Sequence, residues 1–265
     1  MEFFTTVLCG QHESSESVAK RVNEALHHFK VVHIIHADRS DNKLEAFYDV
    51  LTSQIGLCMD ETEDGRSNSK VGGKWLEVRF DPAVENAYRH SNTAQPLHTD
   101  FSYVGNSPDF TLMYCKQRAP EGGETVFIDG NKLVDLMYQQ APELLNKLMN
   151  AKLLFSKNFT NARDEREAFI ISNTNDRRGY KLNWNYFCVD RSIAESRRAI
   201  VEDLHDYLNT HILGSDYITA VALNRGEAVI WHDELVLHGR NAFKAEKFGD
   251  RNLWKTTIHW KESLA

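Results

Sequence analysis

From residue 75 to the end, the chain is a succession of short β-branched and aromatic runs separated by turn residues. The predicted strands are 75–80, 110–116, 125–128, 153–159, 180–187, 218–223, 228–231 and 253–260. Three runs with helical spacing interrupt them, at 131–140, 142–150 and 192–211. Many short strands with few helices favour an antiparallel sandwich or barrel over a βαβ fold. We therefore predict a mainly β fold with flanking α-helices.

The first 60 residues differ in pattern from the rest. Residues 15–29 carry Val18, Val22 and Leu26 at helical spacing, 31–35 form a short β-branched run, and 42–55 show a second helical stripe. A polar, glycine-containing stretch follows at 61–73 and is the best candidate for a mobile loop, which could serve as a lid. No repeat or linker divides the chain, so we predict one domain over 1–265.

Composition excludes several classes of partner. A net charge of −7 argues against a nucleic-acid surface, which needs a basic face. No stretch approaches the ~18 apolar residues of a membrane span, so no membrane partner is expected. The four cysteines are far apart and form no CxxC motif, which is typical of free thiols in a reducing compartment. We predict a cytoplasmic protein and leave its oligomeric state open, including a homo-oligomer.

One pair of residues, His98 and Asp100, suggests a metal site. In an extended segment, residues i and i+2 point to the same side, so the imidazole and the carboxylate could meet one ion. The pair alone is weak because the chain has 12 histidines. A third ligand is available at His238, in a second extended run. Two histidines and one carboxylate form the ligand set of non-haem Fe(II) oxygenases.

A cationic face follows this histidine. In the extended run that begins at Arg251, the odd positions Arg251, Leu253, Lys255 and Thr257 would point together. Buried cations require an anion nearby. A dicarboxylate co-substrate would supply it.

These motifs together resemble the taurine dioxygenase (TauD/TfdA-like) family of Fe(II)/2-oxoglutarate-dependent oxygenases, with γ-butyrobetaine-hydroxylase-like and clavaminate-synthase-like features. The matching pieces, in the family's order and spacing, are PLHTDFSY (96–103), APEGGETVFIDG (119–130), NRGEAVIWHDELVLHGRNAF (224–243) and GDRNLWKTTIHW (249–260). The resemblance covers nearly the whole chain. It implies a double-stranded β-helix, or jelly-roll, core.

The resemblance also implies roles for individual residues. His98, Asp100 and His238 match the catalytic iron triad, with O2 and 2-oxoglutarate as co-substrates. Thr125 matches the threonine that contacts 2-oxoglutarate. Arg251 matches the arginine for a 2-oxoglutarate carboxylate, and Lys255 stands where many members have a second arginine, so either could hold the distal carboxylate.

Arg240 of the HGR motif is expected to support the strand end through a salt bridge rather than to bind a ligand. Asp100 argues against a halogenase, because related halogenases have a small residue at this position. The predicted reaction is hydroxylation of an unactivated C–H with release of succinate and CO2, and desaturation or another oxidation is the alternative with the same cofactors.

The substrate is predicted to be a small molecule, with Asn92, Gln95, Phe101 and Asp233 as candidate contacts. The acidic neighbours of His238 could bind an amine, which favours an amino acid or a derivative. Two other classes remain at this point. A zinc hydrolase could use the same ligand types but has no need for the cationic strand. A non-catalytic jelly-roll binding protein would not need a complete triad.

Overall fold

The computed structural model describes residues 1–10, 12–35, 40–60, 62–64, 66–84, 87–174, 178–192 and 195–264. The strands are β1 (Glu2–Leu8), β2 (Phe29–Ile35), β3 (Gly56–Cys58), β4 (Thr62–Asp64), β5 (Ser69–Val71), β6 (Leu76–Arg79), β7 (Gln95–His98), β8 (Phe110–Gln117), β9 (Glu121–Gly122), β10 (Thr125–Asp129), β11 (Lys152–Asn158), β12 (Arg163–Phe169), β13 (Ile171–Asn173), β14 (Tyr180–Leu182), β15 (Thr219–Val221), β16 (Ala228–His232), β17 (Val236–Arg240), β18 (Phe243–Lys244) and β19 (Asn252–Trp260). The helices are α1 (Ser15–Leu26), α2 (Asp41–Ile55), α3 (Gly130–Gln140), α4 (Pro142–Asn150) and α5 (Glu195–Tyr207). Among these described helices, none is both long and apolar enough to cross a membrane.

Two sheets form the centre of the molecule. The larger has the order β1-β2-β16-β8-β19-β3, with β6 also pairing with β19, and the smaller has the order β15-β10-β17-β7. Strands β1 and β2 run parallel, whereas the other pairs of these two sheets are antiparallel. Side chains from both sheets, among them Phe127, Trp231 and Leu253, pack into one buried cluster. The predicted double-stranded β-helix is confirmed.

Helices cover the outer faces of both sheets. Helix α1 begins where the Ser14 hydroxyl accepts the Ser17 N–H at 3.2 Å, which satisfies one of the free N–H groups of the first turn. Its apolar stripe, Val18, Val22 and Leu26, is fully buried with α2 against the larger sheet. Helices α3, α4 and α5 contribute to a separate cluster that includes residues of the smaller sheet.

The structure departs from the predicted elements at several places. Strand β1, which the sequence pattern did not predict, lengthens the larger sheet beside β2. Strand β12 was also missed because its sequence, RDEREAF, is highly charged, and it forms through pairing with β11. The strand predicted at 180–187 ends at Leu182, and a 3₁₀ turn occupies Tyr186–Cys188.

Two further predictions fall partly on undescribed positions. The helix predicted at 192–211 is observed as α5 followed by a π-helical turn, and residues 193 and 194 lie outside the described residues. The stretch predicted as a mobile loop contains the antiparallel hairpin β4–β5, with Glu61 and Gly65 outside the described residues. The pattern missed this hairpin because its strands are short and polar.

Candidate metal and co-substrate site

The two histidines of the predicted triad are neighbours across two paired strands. His98 is the last residue of β7 and lies directly opposite His238 of β17 in the antiparallel register. Their ring centroids are 4.3 Å apart. The pairing of β7 with β17 thus brings together residues that are distant in the sequence.

The glycine between His238 and Arg240 permits this close pairing. A Cβ at Gly239 would lie 2.7 Å from the carbonyl oxygen of Gln95, which is backbone and cannot move aside. Any larger residue would push β17 away from β7 and separate the two histidines. The HGR motif therefore has a steric requirement for its glycine.

Asp100 reaches the site in a different way from the one predicted. Strand β7 ends at His98, and Asp100 lies in a turn in which Phe101 has φ +51°. The argument from an extended i, i+2 pair was therefore wrong, although the two side chains still converge. The turn is held by the Asp100 N–H, which donates to Asp233 Oδ1 at 3.1 Å, and by the Thr99 N–H, which donates to the Trp184 carbonyl at 2.6 Å.

The three side chains offer one compact set of ligand atoms. The Nε2 atom of His98 is 3.8 Å from one oxygen of Asp100, and the Nε2 atom of His238 is 3.6 Å from the other. One ligand atom from each residue lies within 4.8 Å of the others, which suits a single metal ion. His98 Nδ1 lies 2.9 Å from the Pro96 carbonyl, an acceptor, so Nδ1 carries the proton and Nε2 keeps its lone pair for a metal.

The charges of the site are those that a divalent ion requires. Burial holds the pKa values of both histidines below their ordinary value, so the imidazoles are in the neutral form that binds metals. Burial opposes ionisation of Asp100, yet the neighbouring Lys255 ammonium keeps its pKa below the ordinary value. Lys255 Nζ lies 2.5 Å from an Asp100 oxygen, and the Thr111 hydroxyl donates to the same oxygen at 3.2 Å.

Asp233 lies behind the triad and not in the cavity, which corrects its predicted contact with the substrate. It is fully buried, and its Oδ1 is 3.9 Å from His238 Nδ1. The neighbouring Glu234 binds Arg166 and Lys181, away from the triad. These two carboxylates are therefore placed to support the turn and the fold rather than to bind an amine of a substrate.

The Arg251 side chain passes Gly123 through a space that only glycine leaves open. A Cβ at Gly123 would lie 3.0 Å from Arg251 Nε, and Gly123 also has φ +79°. Arg251 Nη2 donates to the Gly123 carbonyl at 3.1 Å, whereas Nη1 is buried without a partner among the described residues. Burial lowers the pKa of this guanidinium to about 10. A buried cation with a free donor suits a carboxylate, so the residues present fit 2-oxoglutarate.

The salt bridge predicted for Arg240 is not found among the residues that the structure describes. Its Nη2 donates to the Thr93 carbonyl at 2.6 Å, while Nε and Nη1 are buried without a partner among the described residues. The side chain packs on the Phe243 ring, as does that of Arg251, with each guanidinium carbon 5.1 Å from the ring centroid.

A cavity of about 950 Å³ opens onto these groups. It is lined by eight of the predicted site residues, namely Gln95, His98, Asp100, Phe101, Thr125, His238, Arg251 and Lys255, and also by Arg240. Asn92 is not among the lining residues, so the structure does not support its predicted contact with the substrate. The Gln95 amide nitrogen lies 3.2 Å from His98 Nε2, at the edge of the metal position.

An ionic cluster on the cavity wall was missed by the sequence analysis. Glu63 of β4 accepts from Lys157 at 2.6 Å to both oxygens, from Arg89 at 2.7 Å and from the Tyr103 hydroxyl at 3.0 Å. Burial opposes its ionisation, but the two cations hold the pKa of Glu63 below its ordinary value. The cluster joins four segments that are distant in the sequence, so no local pattern could have revealed it.

Comparisons with solved structures agree on this fold. An asparagine oxygenase in complex with Fe(II), hydroxyasparagine and succinate superposes with a TM-score of 0.68 at 14% identity, over 92% of this chain and 78% of that one. The PvcB protein from Pseudomonas aeruginosa superposes with a TM-score of 0.65 at 18% identity, over 98% of this chain and 87% of that one. A taurine dioxygenase from Burkholderia xenovorans superposes with a TM-score of 0.67 at 14% identity, over 98% of this chain and 87% of that one.

The family follows from the sequence itself. The model of the family described as taurine catabolism dioxygenase TauD, TfdA family, matches residues 10–257, which is most of the 265-residue chain. This match accounts for the paired sheets, the two histidines with one carboxylate, and the buried arginine beside them. The chain belongs to the TauD/TfdA dioxygenase family and is an Fe(II)- and 2-oxoglutarate-dependent dioxygenase.

Proposed function

We propose that this enzyme hydroxylates an unactivated C–H bond of a small molecule, an amino acid or a derivative of one, and releases succinate and CO2. The observation that carries the proposal is the position of the His98–Asp100–His238 cluster at the wall of a 950 Å³ cavity, beside a buried arginine with a free donor. The cavity has room for a small substrate next to the metal position.

The residues of the chain have separate tasks in this proposal. His98, Asp100 and His238 bind Fe(II), which when bound supplies the activation of dioxygen. Arg251, with the Thr125 hydroxyl, holds the distal carboxylate of 2-oxoglutarate. Burial of the site excludes water, and the fixed charges orient the co-substrate before the reaction.

Lys255 has a different task from Arg251. Its ammonium is already 2.5 Å from Asp100, whereas Arg251 retains an unpartnered nitrogen. Of the two cations, Arg251 is therefore the better candidate for the distal carboxylate. Lys255 balances the charge of Asp100 and lies 5.8 Å from the Phe101 ring, at the wall that a substrate would meet.

Substrate contacts are proposed for Gln95 and Phe101, which line the cavity. Apart from the metal ligand Asp100, the acidic lining groups are Glu63 and Asp190, and each is already paired with at least one cation. The proposal is supported by the asparagine oxygenase of the same fold, whose complex contains a hydroxylated amino acid and succinate.

The hairpin β4–β5 is proposed as the lid of this cavity. It contributes Glu63 to the ionic cluster, and its Lys70 N–H and carbonyl both bond to the Asn161 side chain at 2.9 Å. We retain the cytoplasm as the proposed location, since all four cysteines are free thiols.

Two measurements test the function. Anaerobic addition of Fe(II) and 2-oxoglutarate should produce a weak visible charge-transfer band, which Zn(II) in the same site cannot give. A screen of amino acids and their derivatives for stimulated succinate release should then identify the substrate. Product mass separates hydroxylation, which adds one oxygen atom, from desaturation, which removes two hydrogens. No stimulation by any amino acid or derivative, with stimulation by another metabolite class, would refute the substrate assignment.

A further inference from the structure

Arg240 is a buried cation for which the described part of the chain provides no counter-ion. It is 5% exposed, and its Nε and Nη1 atoms have no hydrogen-bond partner among the described residues. A guanidinium kept in such surroundings destabilises the ligand-free protein unless an anion joins it.

The position of Arg240 points to the same anion that Arg251 is proposed to bind. Arg240 lies directly opposite Thr125 in the antiparallel pairing of β17 with β10. Cβ atoms of such partners are about 4.5–5.5 Å apart and lie on one face of the sheet. Arg251 bonds to the Gly123 carbonyl, two residues before Thr125, and shares the Phe243 ring with Arg240.

We propose that Arg240 and Arg251 together bind the distal carboxylate of the dicarboxylate co-substrate, so that Arg240 is a specificity residue for 2-oxo acids that carry a second carboxylate. The inference rests on the co-substrate site of the proposed function. Arg240 supplies two free N–H groups and Arg251 one free nitrogen, and both side chains line the cavity. Guanidinium groups suit this task because their planar donors match a carboxylate.

The test compares two ligands that differ only in the distal group. 2-Oxopentanoate has the same chain length as 2-oxoglutarate, with a methyl group in place of the distal carboxylate. Both acids bind Fe(II) through the 2-oxo acid group, so the anaerobic charge-transfer band reports the Kd of each. Arg240→Met keeps the aliphatic stem and removes the charge. We expect it to weaken 2-oxoglutarate about 10- to 100-fold and 2-oxopentanoate less than about threefold.

Controls separate this role from structural damage. Fe(II) binding without a 2-oxo acid, measured by anaerobic equilibrium dialysis, should be unchanged in Arg240→Met. Arg240→Lys should restore only part of the affinity, because an ammonium cannot bind in a bidentate manner. Arg191→Met is the matched control, since Arg191 also lines the cavity but is already bound to Glu202. It should leave both Kd values unchanged.

Two results would overturn the inference. An equal loss for both acids would mean that Arg240 supports the fold, and no loss for either would mean that it binds another group. A wild-type protein that binds neither acid would instead refute the co-substrate site of the proposed function. The two failures are therefore distinguishable.

Discussion

Replacing Arg251 by methionine should remove most of the affinity for 2-oxoglutarate and leave the protein folded. Arg251 is 4% exposed, and Nη1 has no partner among the described residues, so the co-substrate would supply its counter-charge. Lys255 is the comparison, because its ammonium is 2.5 Å from Asp100. Lys255→Met should therefore change the 2-oxoglutarate affinity less than Arg251→Met.

The expected magnitude follows from the burial of the contact. Loss of one partner of a buried, charge-assisted pair is worth roughly 2–5 kcal/mol. At about 1.4 kcal/mol per factor of ten, Arg251→Met should raise the Kd of 2-oxoglutarate about 30-fold to several-thousand-fold. Lys255→Met should raise the Kd of 2-oxoglutarate less than about tenfold, which is less than about 1.4 kcal/mol, because the contact that this substitution breaks is to Asp100 and not to the co-substrate.

The ligand-free protein should respond differently. Arg251→Met removes a buried unbalanced charge, which is stabilising, and leaves the Gly123 carbonyl without its donor, which costs about 1 kcal/mol. These effects oppose each other, so the free energy of unfolding should change by no more than about 1–2 kcal/mol. The stabilisation that saturating 2-oxoglutarate adds to the wild type should disappear in the variant.

Anaerobic titration of the Fe(II)-loaded protein with 2-oxoglutarate gives the Kd, and thermal unfolding with and without the co-substrate gives the stabilisation. Fe(II) affinity measured without 2-oxoglutarate should be nearly unchanged. If Arg251→Met bound 2-oxoglutarate like the wild type, or if Lys255→Met were the more damaging variant, the assignment of the distal carboxylate to Arg251 would be wrong.

Three other predictions follow from the site. His98→Ala and His238→Ala should each weaken Fe(II) binding by more than the ~10–100-fold that loss of a residue supporting a metal ligand costs, and His259→Ala is the control. Turnover of 2-oxoglutarate near the wild-type rate in either variant would contradict the triad. Proteolysis within 61–73 should slow when Fe(II), 2-oxoglutarate and a turnover substrate are added, and equal cleavage rates would make the hairpin an ordinary surface feature. Gly239→Ala should lower the free energy of unfolding by roughly 1–3 kcal/mol and weaken Fe(II) binding, because the new Cβ would meet backbone at 2.7 Å. Gly72→Ala, with open space around the added Cβ, should change neither the stability nor the Fe(II) binding.

Local sequence patterns were enough to predict most of the longer β-strands and the direction of one cationic face. Arg251, Lys255 and Thr257 do line the cavity together, as the period of two of a strand predicts. The face is less regular than predicted, because Thr256 also lines the cavity, Leu253 does not, and the pairing of β19 with β8 shifts register between Asn252 and Leu253. The sequence also predicted the helices α3 and α4, because apolar residues at helical spacing and a proline, Pro142, in the first turn are local features. The motif order also sufficed for the family.

The tertiary structure decided the arrangements that depend on contacts between distant segments. Strand β12 is charged and would not form alone, and it exists because β11 supplies its hydrogen bonds. Asp100 approaches the histidines through a turn that Asp233 and Trp184 hold, so the prediction of its geometry from an extended strand failed.

Charge partners show the same limit. From the sequence, Arg240 was expected in a salt bridge and Asp233 at the substrate. In the described part of the chain no carboxylate pairs with Arg240, and Asp233 is buried behind His238. Lys157 and Glu63 meet only because the hairpin docks beside β11. The sequence by itself determined which chemical groups are present and which strand faces they occupy. Only the tertiary structure decided which groups meet, because an ion pair or a metal site depends on distances of a few ångströms between segments that no local pattern relates.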